Sequence, residues 1–284
     1  MFASADAAIL MLESAFAIDH PKATVPSLSA ERFTLVADGT PNPIVVSSEE
    51  NTAILRAAEN LVSDFENVTG VKPKLCDNVV SDRAIIIASL ESPLMKEMVA
   101  RGRFSTADLE GCNEKYLIKT VSDPLEGVGE ALVIAGSDRR GVVYGIYEIS
   151  EQIGVSPWYD WMDVPVKRQE NLSIARGSYT AGEPAVRYRG IFLNDEAPCL
   201  TGWVEHTYGT DYGDHRFYER MFELILRLRG NFMWPAMWNS AFYDDDPMNG
   251  PLANEMGIVM STSHHEPMGM AQQDWKRRGT GEWN

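Results

Sequence analysis

The chain has 284 residues, with 41 acidic against 25 basic side chains and a formal charge of −16. So negative a surface argues against nucleic-acid backbones or anionic membranes as partners, and an anionic substrate would need cationic groups placed locally. No stretch approaches the roughly 18 consecutive apolar residues that cross a bilayer, while 44% hydrophobic residues suffice for a buried core.

Along the chain, Ala7 to Ile18 is mainly apolar, and Ala15-Phe16-Ala17 resembles a signal-peptidase site. No Lys or Arg precedes Lys22, and Asp6 and Glu13 interrupt the run, so residues 1–26 read as an uncertain leader. The sequons Asn67-Val68-Thr69 and Asn171-Leu172-Ser173 lean towards an extracellular location, with a cytoplasmic one as the alternative. Short strands are predicted at Phe33–Val36 and Ile44–Ser47. A helix follows with Ile54, Leu55, Ala58, Leu61, Val62 and Phe65 on one stripe, closed by Gly70. Ala84 to Ala88 is too apolar to alternate and predicts a strand covered on both faces.

Tyr116–Val121 and Ala131–Ala135 predict further strands. Residues 136–154 read as a turn, a helix with Val142, Val143, Ile146, Ile149 and Ile153 on one face, and a glycine stop. The turn lacks the spacing of a phosphate loop, and Arg139 and Arg140 read as a solvated helix start. Arg168 to Pro184 reads as a linker. Residues 27–180 are therefore expected to form an α/β accessory domain.

From residue 181 the pattern changes to βα units. Strands are predicted at Val186–Glu196, Phe232–Asn239 and Ile258–Met268. A helix over Asp214–Arg229 is capped by Asp214 and ended by Gly230, and two shorter ones cover Pro251–Met256 and Ala271–Arg278. About three of the eight units of a (β/α)₈ barrel are present, so 181–284 reads as a partial catalytic barrel and the chain as the amino-terminal part of a larger enzyme or an incomplete gene product.

Each predicted barrel strand runs into reactive side chains, and the carboxyl ends of strands carry the chemistry in such barrels. Asn194-Asp195-Glu196 sets two carboxylates at a strand end, suited to general acid or base work in glycoside cleavage. Trp234, Trp238 and Asn239 offer indole faces for sugar C–H surfaces and an amide for hydroxyls. His264, His265 and Glu266 fit hydrogen bonding to a polar substrate; their spacing is not that of a zinc helix. Trp203 and Tyr208 are placed in a loop. Asp244-Asp245-Asp246 departs from the calcium-loop pattern and reads as a solvated turn. The three cysteines form no C-x-x-C pair, and Cys199 reads as a small buried hydrophobe. No cofactor or metal is expected.

The strings YRGIFLNDE (188–196), RLRGNFMWPAMW (227–238) and NEMGIVMSTSHHEPM (254–268), with the Trp275 to Asn284 motif, resemble glycoside hydrolase family 115, the xylan α-glucuronidases. The segment from Gly136 to Trp161 is similar to the accessory domain that precedes the barrel in hexosaminidase-like glycosidases. The resemblance implies an inverting exo-hydrolase that removes (4-O-methyl)-glucuronic acid from glucuronoxylan, with a homodimer for the full-length protein. It implies Asp195 as the catalytic carboxyl, Asn194 and Glu196 orienting it, and His265, Glu266 and Trp234 lining the uronate subsite. By this reading the partner carboxylate lies beyond Asn284, and the chain alone hydrolyses nothing. The other readings are a non-catalytic carbohydrate-binding scaffold, a glycosidase of hexosaminidase-like specificity, and a metal-dependent hydrolase built on the His pair and acidic run.

Overall fold

A computed structural model describes residues 24–25, 29, 31–78, 81–194, 198–210, 213–235, 240–262 and 269–282. Its centre is a mixed sheet of six strands in the order β10-β7-β8-β6-β4-β5. These are β4 (Ile44–Val46), β5 (Leu75–Cys76), β6 (Arg83–Ser89), β7 (Tyr116–Ser122), β8 (Glu130–Gly136) and β10 (Ser178–Tyr179). Strands β5, β4, β6 and β8 run parallel, and the pairings of β8 with β7 and of β7 with β10 are antiparallel.

The sheet is covered on both faces, as the unbroken apolar runs require. Ile85 and Ile87 of β6, with Leu132 and Ile134 of β8, enter the larger core. The alternate residues Ala84, Ile86, Ala131 and Val133 enter a second core on the opposite face. Helices α1 (Thr52–Thr69) and α3 (Arg139–Ile153) lie on the first side, and α2 (Pro93–Ala100), through Met95 and Met98, on the second. Helix α1 begins where Asn51 Oδ1 accepts from the Ala53 N–H at 3.0 Å, and ends at Gly70, whose φ of 80° is the left-handed cap that glycine tolerates.

Helix α3 is buried on more than its apolar stripe: Tyr144, Tyr147, Glu148 and Ser150 are also inside. A second layer lies over it, which periodicity alone does not reveal. A Cβ on Gly145 would sit 2.9 Å from Ile134 Cγ2, so glycine permits this close helix–sheet approach.

The expected linker contains strand. β9 (Leu172–Ala175) pairs with β1 (Thr24–Val25) and β2 (Arg32–Ala37) in a small antiparallel sheet completed by β3 (Thr40–Pro41), while β10 edges the large sheet. Four residues give too short an alternation to announce a strand. Leu172 and Ile174 become one because Phe33 and Leu35 share their core.

The third sheet is wholly parallel, in the order β11 (Gly190–Phe192), β12 (Phe232–Trp234) and β13 (Val259–Met260). Each described strand is shorter than expected. Helices α4 (Cys199–Tyr208), α5 (His215–Arg227), α6 (Phe242–Asp245) and α7 (Asn249–Met256) lie between them in sequence, and α8 (Gln272–Arg278) follows. Asp214 caps α5, accepting from the N–H groups of Arg216 at 3.0 Å and Phe217 at 3.3 Å. At its far end Arg229, not Gly230, takes the left-handed conformation, with φ of 60°. Phe217, Met221, Phe222 and Ile225 of α5 join the core shared with α1 and α3. The α/β sheet and the parallel strands therefore bury one continuous apolar interior.

Candidate functional site at the carboxyl ends of the parallel strands

The three strands end side by side. Phe192 is in register with Trp234, and Met233 with Met260. Beyond the last pairs, Leu193 N–H donates to Trp234 O and Ser261 N–H to Met233 O, each at 3.0 Å. Alternation then sorts the side chains. Met233 lies within the core, and Ile191, Leu193 and Met260 pack against it. Phe192, 42% exposed, turns the other way and meets Trp234 edge-on with ring centroids 5.7 Å apart. Asn194, exposed, follows two residues after Phe192.

Asn194 and Trp234 thus occupy adjacent strand ends, next to an aromatic face of the kind that sugar rings stack on. The remaining candidates, Asp195, Glu196, Trp238, Asn239, His264, His265 and Glu266, lie outside the described residues. The described chain reaches each of their segments from this same end of the sheet: from Asn194, from Pro235 and from Thr262.

The amino ends of the same strands are held by a group that sequence reading missed. Glu114, 7% exposed and at φ 54°, precedes β7 in the α/β sheet. Its carboxylate accepts from Arg189 Nη2 at 2.6 Å, Asn231 Nδ2 at 2.7 Å and Arg140 Nη1 at 2.9 Å. Arg189 directly precedes β11 and Asn231 directly precedes β12, while Arg140 Nε donates at 2.6 Å to Gly257 O, two residues before β13. One carboxylate therefore links all three strand starts to the α/β sheet. Arg139 also donates to Asn254 O at 3.0 Å, so the two arginines are fasteners between layers and not a solvated helix start.

Several other sequence readings are corrected. Trp203 and Tyr208 belong to helix α4 instead of a loop. The Trp203 ring lies 5.3 Å from that of Trp161, the Arg220 guanidinium stacks on both, and Arg220 Nη1 donates to the Tyr208 hydroxyl at 2.9 Å. Trp203 and Tyr208 thus pack against Trp161 and Arg220 of the neighbouring layer. Asp244 and Asp245 pair with Arg277 at 2.6 and 2.8 Å, and Asp246 with the His215 ring at 2.7 Å, so the acidic run is an ion-paired helix end and not a solvated turn. Burial pushes the Asp246 carboxyl up, but hydrogen bonds from the backbone and ring of His215 outweigh it and hold the group below the usual range. Cys199 is exposed at the start of α4, where no core reaches it; all three cysteines are free. Among the described residues, no three His, Cys, Asp or Glu side chains gather as metal ligands would.

Residues 181–284 match the model of glycosyl hydrolase family 115, and residues 31–149 match that of the glycosyl hydrolase family 67 N-terminus. Among solved structures, the chain is similar to a family GH115 4-O-methyl-alpha-glucuronidase, BtGH115A, with specificity for decorated arabinogalactans. The identity is 32% over 89% of this chain and 32% of that one, with a TM-score of 0.74. The chain thus spans about a third of that relative's length. Remote likeness extends to a Streptomyces plicatus N-acetyl-beta-hexosaminidase, at 12% identity over 85% of this chain and 44% of that one, TM-score 0.49. A Streptomyces coelicolor A3(2) GH20 beta-N-acetylhexosaminidase is similar at 11% identity over 85% and 44%, TM-score 0.47. No curated protein sequence matches. A family model matched across all three parallel strands, together with a well-superposed relative at 32% identity, leads to one assignment: the chain belongs to glycosyl hydrolase family 115.

Proposed function

We propose that residues 181–284 contribute the first strands of a (β/α)₈ catalytic barrel in an inverting α-glucuronidase that removes (4-O-methyl)-glucuronic acid from glucuronoxylan. The observation that supports this reading is the parallel register of β11, β12 and β13, which brings the strand ends at Asn194 and Trp234 to one end of the sheet, within the region matching family 115. In this reading Asp195 is the catalytic carboxyl, oriented by Asn194 and Glu196. Trp234, His265 and Glu266 line the subsite for the uronate, and Trp238, Asn239 and His264 are further substrate-binding residues.

Inversion needs two carboxyls roughly 6.5–9.5 Å apart, with water between them. The three strand ends here are fewer than the eight of a whole barrel, so the 284-residue chain alone is expected to release no uronate. The test extends the chain to the relative's length and follows uronic acid release from two polymers, glucuronoxylan and a decorated arabinogalactan. The second is included because the relative's specificity is for that polymer. Release from glucuronoxylan is expected, falling about 10²–10⁴-fold in Asp195→Asn with an unchanged melting temperature. Full activity in that variant would remove Asp195 from the chemistry, and release from arabinogalactan alone would replace the xylan as substrate.

A further inference from the structure

Helix α4 begins at Cys199, four residues after Asp195, and burial alone holds it poorly. A helix of ten residues is marginal in water without tertiary anchors. Val204 is its one buried side chain, with Leu200 and Tyr208 partly covered by the core. What fastens α4 is a cluster of rings around one guanidinium.

That guanidinium is Arg220 of α5. It lies 5.0 Å from the ring centroid of Trp161 and 5.4 Å from that of Trp203, within cation–π range of both. Its Nη1 donates to the Tyr208 hydroxyl at 2.9 Å, and its Nε to the Asp160 carboxylate at 2.7 Å. The Trp161 ring stands edge-on to Phe217, with centroids 6.1 Å apart, and its Nε1 donates to Arg220 O at 3.4 Å. Asp160 and Trp161 follow α3 of the six-stranded sheet, whereas Trp203 and Tyr208 are α4 itself. Arg220 therefore ties α4 to the other layer of the molecule.

The tie bears on the stretch that carries Asp195. Four Cα steps separate Asn194 from Pro198, at most about 14 Å of chain. Upstream, the Leu193 N–H is bonded to Trp234 O; downstream, Pro198 O accepts from the Gly202 N–H at 3.1 Å in the first turn of α4. The shorter a stretch between two fixed points, the fewer conformations are open to it, so loosening α4 releases one of the two points. A misplacement of about 1 Å can cost a catalytic group about 10²-fold. We propose that Trp161 and Arg220 are positioning residues: through α4 they fix the downstream end of the segment bearing Asp195. The effect on turnover rests on the role assigned above to Asp195, and the clamp itself does not.

Two readouts test this. Hydrogen exchange of the 284-residue chain reads the clamp. Trp161→Leu and Trp203→Ala should each quicken exchange over residues 199–208 about tenfold and leave α1 unchanged. Trp203, 37% exposed, can be truncated without opening the core, so Trp203→Ala decides if Trp161→Leu does not fold. Uronate release by the chain extended to the relative's length reads the consequence. There both variants should lower kcat about tenfold with KM within about twofold, and Trp203→Phe, which keeps a ring on Arg220, should recover most of the rate. Unchanged exchange over 199–208 overturns the proposal, and so does faster exchange with an unchanged kcat. No release by the extended wild type would instead fail the glucuronidase reading, and exchange alone would then judge the clamp.

Discussion

Glu148 on α3 has donors on both carboxylate oxygens. Gln152 Nε2 approaches one at 3.0 Å, and Arg229 Nη2 at 2.7 Å and the Tyr116 hydroxyl at 2.9 Å share the other. Burial pushes the Glu148 carboxyl up, but the Gln152 and Arg229 interactions outweigh it, so the group sits below the usual carboxylate range. A depressed folded value means the unfolded chain binds the proton more readily. Its contribution is complete above the ordinary Glu value of about 4.3 and is lost as pH falls through the folded value. Glu148→Gln should therefore cost about 1.5–3 kcal/mol at neutral pH, through loss of charge-assisted hydrogen bonds. It should also flatten the fall in urea midpoint between about pH 5 and about pH 3. An acid limb as steep as the wild type's would show that other carboxyls govern it. Nothing in the sequence distinguishes Glu148 from its neighbour Glu151: Arg229 pairs with both, and it is burial beside the Tyr116 hydroxyl that sets Glu148 apart.

At the scale of elements, the β11–β12 pairing depends on an absent side chain. A Cβ on Gly190 would stand 1.7 Å from the Phe232 carbonyl oxygen, backbone that cannot yield without separating the strands. Gly190→Ala should cost on the order of 3 kcal/mol, and hydrogen exchange should quicken at Leu193, whose N–H bonds to Trp234 O. Unchanged exchange there would mean the sheet accommodates the methyl. Helices α1, α3, α5, α7 and α8 were legible in the sequence, α5 with its Asp214 cap, and Gly70 and Gly154 close α1 and α3 in the left-handed region; α2 and α6 were not. The short strands were legible only in part. β9 and β10 have too few residues for alternation to register, and α4 has a weak stripe with Val204 its one buried side chain.

At the scale of the molecule, Asp64 of α1 and Arg227 of α5 form a buried pair. The Arg227 Nη1 and Nη2 atoms donate to the carboxylate at 2.9 and 3.2 Å, and the guanidinium stacks on the rings of Tyr147 and Tyr159. Arg227 Nε also donates to the Glu223 carboxylate at 2.7 Å, so loss of the Asp64 charge leaves the buried guanidinium partly compensated, at a cost of about 1.5–3 kcal/mol. Because the pair sits within one continuous core, Asp64→Asn should lower the urea midpoints of far-UV circular dichroism and of tryptophan fluorescence together. Midpoints that separate would show that the two sheets unfold as independent units.

Local information, carried by apolar stripes, the Asp214 cap and unbroken strand runs, was enough to determine the α/β class, the longer helices, the central strands and the βα units after residue 181. Those features concern neighbours a few residues apart, and their physics is already present in the chain. Only the tertiary structure decided that Glu114 would gather Arg140, Arg189 and Asn231 at the feet of three strands, and that the acidic run would pair with Arg277. Each of these depends on groups brought together from distant positions. Charge and burial act through space, and a sequence read along its length gives no distance between such groups.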